Sequence, residues 1–103
     1  MVGNQMMGDV HIAPYEQTHV DVMHAHGEQA ALLILNDPIN TMNYVAWVFM
    51  RHFGFSKARA HELMMRVHTQ GQARITQGSV EKIEQDAKAM TTYGLRSRVV
   101  VEQ

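Results

Sequence analysis

Apolar and polar residues follow one another in blocks along the chain, and the period of each block indicates a different element. A run of four aliphatic residues at 32–35 is short and is bounded by turn-forming residues, so it predicts a buried strand over about Ala31–Leu35. The segment Met42–His52 is apolar almost all round, which predicts a helix that is buried on several sides or lies beside a binding surface. Apolar positions then recur at i, i+3, i+4 and i+7, which predicts an amphipathic helix over about Lys57–Gln70.

The last third of the chain predicts two further strands and one further helix. Residues 72–77 alternate between apolar and polar side chains, as in a half-exposed strand, and Gly78 and Ser79 predict a turn followed by a helix cap. A stripe of apolar residues predicts a helix over about Val80–Tyr93, and β-branched residues predict a final strand over about Leu95–Val101. The polar residues assigned to the outer face of that helix are Glu81, Lys82, Glu84, Gln85, Asp86 and Lys88.

Residues 1–29 show no lasting period, and we expect a disordered, flexible N-terminal extension followed by one domain over residues 30–103. The element order β-α-α-β-α-β predicts an α+β fold in which three helices pack on one face of a three-stranded antiparallel sheet. The extension contains His24 and His26, which could chelate a divalent cation. No carboxylate or thiol completes a ligand set at helical spacing, so no evolved metal site is predicted.

Composition narrows the possible functions and compartments. A net charge of −1 gives no electrostatic reason to expect binding to nucleic acid or to an anionic membrane. The absence of cysteine excludes disulfides, thiolate metal sites and thiol nucleophiles, and it is compatible with a reducing compartment. Since there is neither an apolar run of about 18 residues nor a signal peptide pattern, we expect a cytoplasmic protein.

Polar residues lie where the first strand meets the first helix, and they suggest a small binding pocket. If the first two helices pack side by side, Asn36, Asp37 and His68 would form a polar rim. Such a pocket suits a guest with an apolar body and a cationic, donor-rich end. The alternative is purely structural: the histidine is a satisfied core residue, the methionines fill the core, and Asn36 and Asp37 only make the turn. The residues expected to form apolar walls are Met42, Val45, Met64 and Val67.

An enzyme is the competing class of function. A pair of His68 and Asp37 could in principle act as a general base. However, Ser56 and Ser79 both fit helix caps, and no other activated nucleophile is evident. The sequence contains no P-loop, no glycine-rich dinucleotide motif and no HExxH, so we predict neither catalysis nor a cofactor.

Two motifs resemble the ClpS family of adaptor proteins. One is the Asn36-Asp37 turn after an aliphatic strand with Met42 at the next helix start, and the other is the segment Leu63–Ala73. The resemblance covers about residues 31–103 and implies a flexible N-terminal extension before a domain of three strands and three helices. It further implies an adaptor that recognises destabilising N-terminal residues (Leu, Phe, Tyr or Trp) and delivers substrates to the N-terminal domain of a Clp-type AAA+ unfoldase. A monomer is expected.

The resemblance also implies roles for individual residues. Asn36, Asp37 and His68 would hold the substrate α-amino group, and Met42 would act as a gatekeeper against the β-branched side chains of Ile and Val. Pro38 and Asn40 would form the supporting turn, in which either Asn40 or Thr41 can cap the helix. The side-chain pocket would comprise Met42, Val45, Met64, Val67 and Leu95, and the unfoldase would dock on Glu81 and Glu84.

Two departures from the family pattern bear on function. A lysine that is common on the third helix is replaced by Asp86, so the docking surface would suit a different Clp partner. Many members have a second aspartate where this chain has Pro38, so negative charge at the amino-group site would come from Asp37 alone. The Pro38 departure leaves open an alternative: a regulator that docks on a Clp unfoldase and binds N-terminal residues weakly or not at all.

Overall fold

Six elements form the part of the chain that the computed structural model describes, residues 28–102. They confirm the predicted fold class, with the order β-α-α-β-α-β. Of the predicted N-terminal extension, residues 1–27 lie outside the described part, and the first strand already includes Gln29. In chain order the elements are β1 (Gln29–Leu35), α1 (Met42–Phe53), α2 (Lys57–Gln70), β2 (Gln72–Ser79), α3 (Val80–Tyr93) and β3 (Arg96–Glu102).

The sheet has the order β2-β1-β3, and β1 is antiparallel to both of its neighbours. Alternate residues of β1, namely Ala30, Leu32 and Ile34, are buried in the core beneath the helices. The pairing of β1 with β2 shifts between Leu32 and Leu33, where β2 contains one extra residue. The helices α2 and α3 pack directly against the sheet, whereas α1 packs mainly on α2.

The core is a single cluster that draws on every element. Burying a large aliphatic or aromatic side chain stabilises the fold by about 1.5–3 kcal/mol, so these residues hold the helices against the sheet. No helix within residues 28–102 is both long and apolar enough to cross a membrane. The largest fully buried side chains are Phe49, Leu32, Ile34, Leu63, Ile83, Met90 and Val48.

Side-chain caps set the start of each helix. The Thr41 Oγ1 atom accepts the Tyr44 N–H at 3.1 Å, and Ser56 and Ser79 cap α2 and α3 in the same way. Of the two residues predicted as candidates for the cap, Thr41 caps α1 and Asn40 does not. Each helix ends on a glycine in the left-handed region, where a side chain would be strained; these are Gly54, Gly71 and Gly94.

The turn predicted at Gly78 and Ser79 is absent, because the strand runs straight into the helix. Gly78 pairs with Ala30 of β1, and Ser79 is both the last residue of β2 and the cap of α3. A strand and a helix can share a junction without a loop here because Ser79 already has the extended backbone that an N-cap requires.

The outer-face position predicted for Asp86 is also wrong. Asp86 is only 7% exposed, because it lies three residues after Ile83 and four before Met90 on the inner side of α3. Lys82 Nζ donates to Asp86 Oδ2 at 2.6 Å, and His52 Nε2 lies 2.9 Å from Asp86 Oδ1. Two partners compensate for the burial of the carboxylate, and the bond to His52 joins α3 to α1.

Candidate functional site

A cavity of about 400 Å³ opens where β1 ends, α1 begins and α2 ends, beside the residue that precedes β3. It is lined by all ten residues predicted for the amino-group site, the side-chain pocket and the supporting turn. Their roles remain predictions, but the fold brings every one of them to the same place. These residues are Asn36, Asp37, Pro38, Asn40, Met42, Val45, Met64, Val67, His68 and Leu95.

Three further residues line the cavity that were not predicted to do so: Ile34, Leu35 and Thr41. They could have been identified because they are next in sequence to residues that were predicted to line it. Ile34 and Leu35 end the aliphatic run immediately before the polar turn, and Thr41 immediately precedes Met42. A cavity built on a strand-to-helix junction takes residues from both sides of the turn.

Local hydrogen bonds fix the turn between β1 and α1. The Ile39 N–H donates to Asp37 Oδ1 at 2.7 Å, which is the Asx turn that an aspartate at this position favours. The Asn40 amide lies 3.4 Å from Asp37 Oδ2, at the long end of a hydrogen bond. The Asp37 carboxylate is therefore held in one orientation at the cavity rim.

Hydrogen bonds also join this turn and the start of α1 to the end of α3. The Asn40 side-chain amide donates to the Gly94 carbonyl at 2.9 Å, and the Tyr44 hydroxyl donates to the Tyr93 carbonyl at 2.6 Å. Two successive carbonyls at the end of α3 thus accept from the turn and from α1. The predicted start of the last strand at Leu95 is wrong, because its N–H donates to Met90 O in the bond pattern that closes α3. This helix-ending motif holds the buried Leu95 side chain at the cavity wall.

The polar rim includes two side chains that can accept hydrogen bonds. The Asn36 N–H donates to Gly71 O at 2.9 Å, which ties the end of β1 to the end of α2, where His68 lies. Within residues 28–102, neither the Asn36 nor the His68 side chain has a hydrogen-bond partner, and both are exposed. The amide oxygen of Asn36 and an imidazole nitrogen of neutral His68 are therefore available as acceptors.

The apolar walls grade from buried to exposed. Met64, Val67 and Leu95 are buried, and Val45 is half-buried. Met42 is the first residue of α1 and is 43% exposed, so it lies at the mouth. The cavity thus has an apolar interior. The side chain at its entrance is conformationally flexible, because methionine has several rotatable bonds.

The charge at the rim is negative. Asp37 contributes a carboxylate, and no lysine or arginine of the described residues lines the cavity. Pro38 adds neither a charge nor an N–H donor. Such a rim suits a cation with several N–H donors, and the interior suits an apolar side chain. Among residues 28–102, no group of three metal-binding side chains comes together.

The two predicted docking residues lie on α3 and do not line the cavity. Glu81 is exposed and lies in the first turn of α3, and Glu84 is half-buried. Burial raises the pKa of Glu84, the charge of Lys88 opposes this, and the charge of Glu81 adds to it. These two carboxylates therefore form an acidic pair at one end of α3.

Known proteins are similar to this chain in both sequence and fold. A family model described as ATP-dependent Clp protease adaptor protein ClpS matches residues 25–98. The chain is 40% identical over 84 residues to the ATP-dependent Clp protease adapter protein ClpS of Rhodococcus opacus strain B4, covering 82% of this chain and 75% of that protein. It is 49% identical over 63 residues to the Streptomyces coelicolor protein of the same name, covering 61% of this chain and 66% of that protein.

The fold is also similar to a solved structure, that of Agrobacterium tumefaciens ClpS2 bound to L-phenylalaninamide. The TM-score is 0.62 at 20% identity, covering 73% of this chain and 98% of that chain. The sequence matches and the cavity at the strand-to-helix junction lead to one conclusion. The chain belongs to the ClpS family of adaptor proteins for the ATP-dependent Clp protease.

Proposed function

We propose that this adaptor binds the N-terminal residue of proteins that begin with Leu, Phe, Tyr or Trp and delivers them to a Clp-type AAA+ unfoldase. The observation that supports this most is the cavity itself, in which an apolar interior meets the Asp37 carboxylate and two acceptors, Asn36 and His68, whose side chains have no hydrogen-bond partner within residues 28–102. L-phenylalaninamide, the ligand of the Agrobacterium ClpS2 structure, has both a free α-amino group and an aromatic side chain.

In the proposed complex, the α-ammonium group donates to the Asn36 amide oxygen and to a nitrogen of neutral His68. Asp37 adds a favourable charge interaction without leaving its turn, because its carboxylate is already oriented by the Ile39 N–H. The substrate side chain enters between Met64, on α2, and Leu95. A chain with no free amine would lose the two charge-assisted bonds and would bring an extra acyl group to the rim.

The energetics fit a releasable complex. Burying one large apolar side chain contributes about 1.5–3 kcal/mol, and each hydrogen bond to a charged amine contributes about 1.5–3 kcal/mol. One pocket and two bonds give roughly 5–9 kcal/mol before the costs of ordering are subtracted. Micromolar affinity corresponds to about 8 kcal/mol. We therefore expect micromolar or weaker binding, as suits an adaptor that must pass its substrate on.

The first prediction concerns the free amine. A fluorescent peptide that starts with Phe should bind, and the same peptide with an acetylated N-terminus should lose most of its affinity, as measured by fluorescence anisotropy. Asn36→Ala should weaken binding, whereas Asn43→Ala, an exposed asparagine of α1 outside the cavity, should not. Equal affinities for the two peptides would contradict the proposal.

The same titration tests the alternative function. If neither peptide binds and the protein still associates with a Clp unfoldase, the regulator that does not read N-terminal residues is supported instead. The observation that keeps this alternative in view is Pro38, which leaves Asp37 as the sole carboxylate that residues 28–102 contribute to the cavity lining.

We further propose that Glu81 and Glu84 dock on the N-terminal domain of the unfoldase. Both are on α3 and outside the cavity, so docking and peptide binding can occur together. The second prediction is that Glu81→Lys weakens association with the unfoldase in a pull-down assay but leaves peptide affinity unchanged. The matched control is Glu62→Lys, which makes the same charge reversal at an exposed glutamate on α2. Equal association of the two variants would contradict the assignment.

A further inference from the structure

The face of the sheet opposite the helices is covered by no element within residues 28–102, and it combines arginines with apolar side chains. Leu33 of β1 lies between Arg74 of β2 and Arg98 of β3, and Leu35 lies beside Arg96. These arginines are exposed, and the two leucines are half-buried. We define the open face by the outward residues Leu33, Leu35, Arg74, Arg96, Arg98 and Val100.

An ion pair already neutralises one of the three arginines. Arg74 NH1 donates to Glu102 Oε2 at 2.5 Å, and Arg74 NH2 donates to Glu102 Oε1 at 2.8 Å. The pair joins the two edge strands across β1, and the register places it over Ala31, which is fully buried although it lies on the side away from the helices. Within residues 28–102, Arg96 and Arg98 have no carboxylate partner.

Opposite charges are separated along the sequence. Residues 1–27 contain three acidic residues, Asp9, Glu16 and Asp21, and no lysine or arginine. All nine basic residues lie in the remainder of the chain, together with the other seven acidic ones. The acidic segment is therefore joined covalently to a domain whose open face carries two arginines without a carboxylate partner among residues 28–102.

We propose that the acidic N-terminal segment, residues 1–27, docks on the open face of its own sheet, where its carboxylates pair with Arg96 and Arg98. The segment joins the sheet at Gln29, the first residue of the central strand. Arg98 is beside Leu33, four residues along that strand, which is about 14 Å at the usual strand rise. Asp21 is eight residues before Gln29, and an extended chain of that length spans up to about 28 Å.

Apolar residues of the N-terminal segment and of the open face are also placed to meet in the proposed docking. Asp21 lies between Val20 and Val22, and the open face presents Leu33 and the exposed Val100 close to its arginines. A docked segment would pair carboxylate with guanidinium and cover apolar surface at once. Because such ion pairs are exposed, docking should weaken as salt is added. The inference does not depend on what the cavity binds.

Paramagnetic broadening in the intact chain of 103 residues tests the proposal. The chain has no cysteine, so Gln17→Cys provides one site for a spin label without removing a carboxylate. At low salt the label should remove most of the methyl signal of Leu33 and Val100 and should affect far less that of Met65, which is exposed on the outer side of α2. The broadening should fall as sodium chloride is raised to half molar.

Charge reversal identifies the contact. Arg96→Glu combined with Arg98→Glu should restore the methyl signals, whereas Arg51→Glu combined with Arg59→Glu, the same change in net charge on the helices, should not. Dispersed spectra show whether each variant is folded. Adding Glu16→Arg and Asp21→Arg to the first pair should bring the broadening back.

Three results would overturn the proposal. Open-face methyl signals that are unaffected by the label at low salt would show that the segment does not dock there. Broadening that survives reversal of Arg96 and Arg98 would show that these arginines do not hold it. Broadening that arises only between labelled and unlabelled molecules in a mixture would assign the face to a second copy of the chain.

Discussion

At the scale of single residues, Met42 holds the most informative position. It lines the cavity, lies at its mouth and begins a helix that Thr41 fixes at its first turn. A side chain branched at Cβ is wide near the backbone, and in the proposed complex Met42 would contact it there. If the cavity binds N-terminal residues as proposed, the size of the residue at this one position should decide which of them enter.

The third prediction follows from that geometry. Met42→Ala should admit peptides that start with Ile or Val and raise their affinity by about tenfold or more, as expected when a steric conflict of one or two carbons is removed. Anisotropy titrations with Ile- and Phe-starting peptides measure the change. Met65→Ala, an exposed methionine of α2 outside the cavity, is the control. Unchanged selectivity in Met42→Ala would remove the gatekeeper role.

Asn40 illustrates what residue types alone can and cannot predict. Its place before a helix suggested a cap, since either Asn40 or Thr41 has the required side-chain oxygen. The structure uses Thr41 for that purpose and uses Asn40 to bind the Gly94 carbonyl. That bond joins positions 54 residues apart, and no local rule of turn chemistry can identify such a partner.

At the scale of elements, the Arg74–Glu102 ion pair links β2 to β3, which do not touch as neighbours in the sheet. The hydrogen bonds from Arg74 lower the pKa of Glu102 below its usual value of 4.5. The contribution of a carboxylate with a depressed folded-state pKa is present above its unfolded-state pKa and is lost as the pH falls through the folded-state value.

The fourth prediction applies this sign to stability. Glu102→Gln should lower the free energy of unfolding at pH 7, and the difference from the unmodified protein should vanish as the pH is taken well below 4.5. Urea unfolding at a series of pH values measures it. The control is Gln85→Glu on α3, which changes a charge away from Arg74. Gln77 is not used for this purpose because its side chain contacts Arg74. A difference that persists at low pH would contradict the role of this carboxylate.

The bounds of two helices could be predicted to the residue, and the reason is local. Lys57–Gln70 and Val80–Tyr93 each begin after a serine cap and end before a glycine, and both signals act within a few positions. The turn at Gly78 was wrong because a Gly-Ser pair looks like a turn in isolation. Its pairing with Ala30 depends on a strand from the other end of the domain.

The candidate site was predictable for a related reason. Strand, turn and helix periods located the polar rim, and the family resemblance added residues that no period could, such as Leu95. Asp86 shows the limit of the reasoning from residue type. Its spacing from Ile83 and Met90 indicated an inward position, but its charge suggested an outward one, and the partner His52 is on a different helix.

At the scale of the whole molecule, Asp86 connects the helical layer. The Asp86 carboxylate accepts a hydrogen bond from Lys82 of its own helix and contacts His52 of α1. The helix α1 itself has little direct packing on the sheet. A buried carboxylate that kept fewer partners would be costly, because water cannot replace the lost hydrogen bonds. The orientation of α1, and with it the entrance of the cavity, depends in part on this cluster.

The fifth prediction is that Asp86→Ala lowers the free energy of unfolding by about 1.5–3 kcal/mol, as expected for the loss of hydrogen bonds to a charged group. Asp86→Asn should cost less, because its amide oxygen can still accept from Lys82 or His52. Urea denaturation measures both, and Gln85→Ala, the exposed neighbour, is the control. Equal stability of Asp86→Ala and the control would show that the cluster is dispensable.

The central place of β1 has a mechanical consequence. Inter-strand hydrogen bonds run across an antiparallel sheet, so a pull along β1 from its N-terminal end loads two seven-residue ladders in shear at the same time. A pull on the C-terminal end acts on β3, an edge strand with a single ladder. We therefore expect the domain to resist a pull on its N-terminal end better than a pull on its C-terminal end.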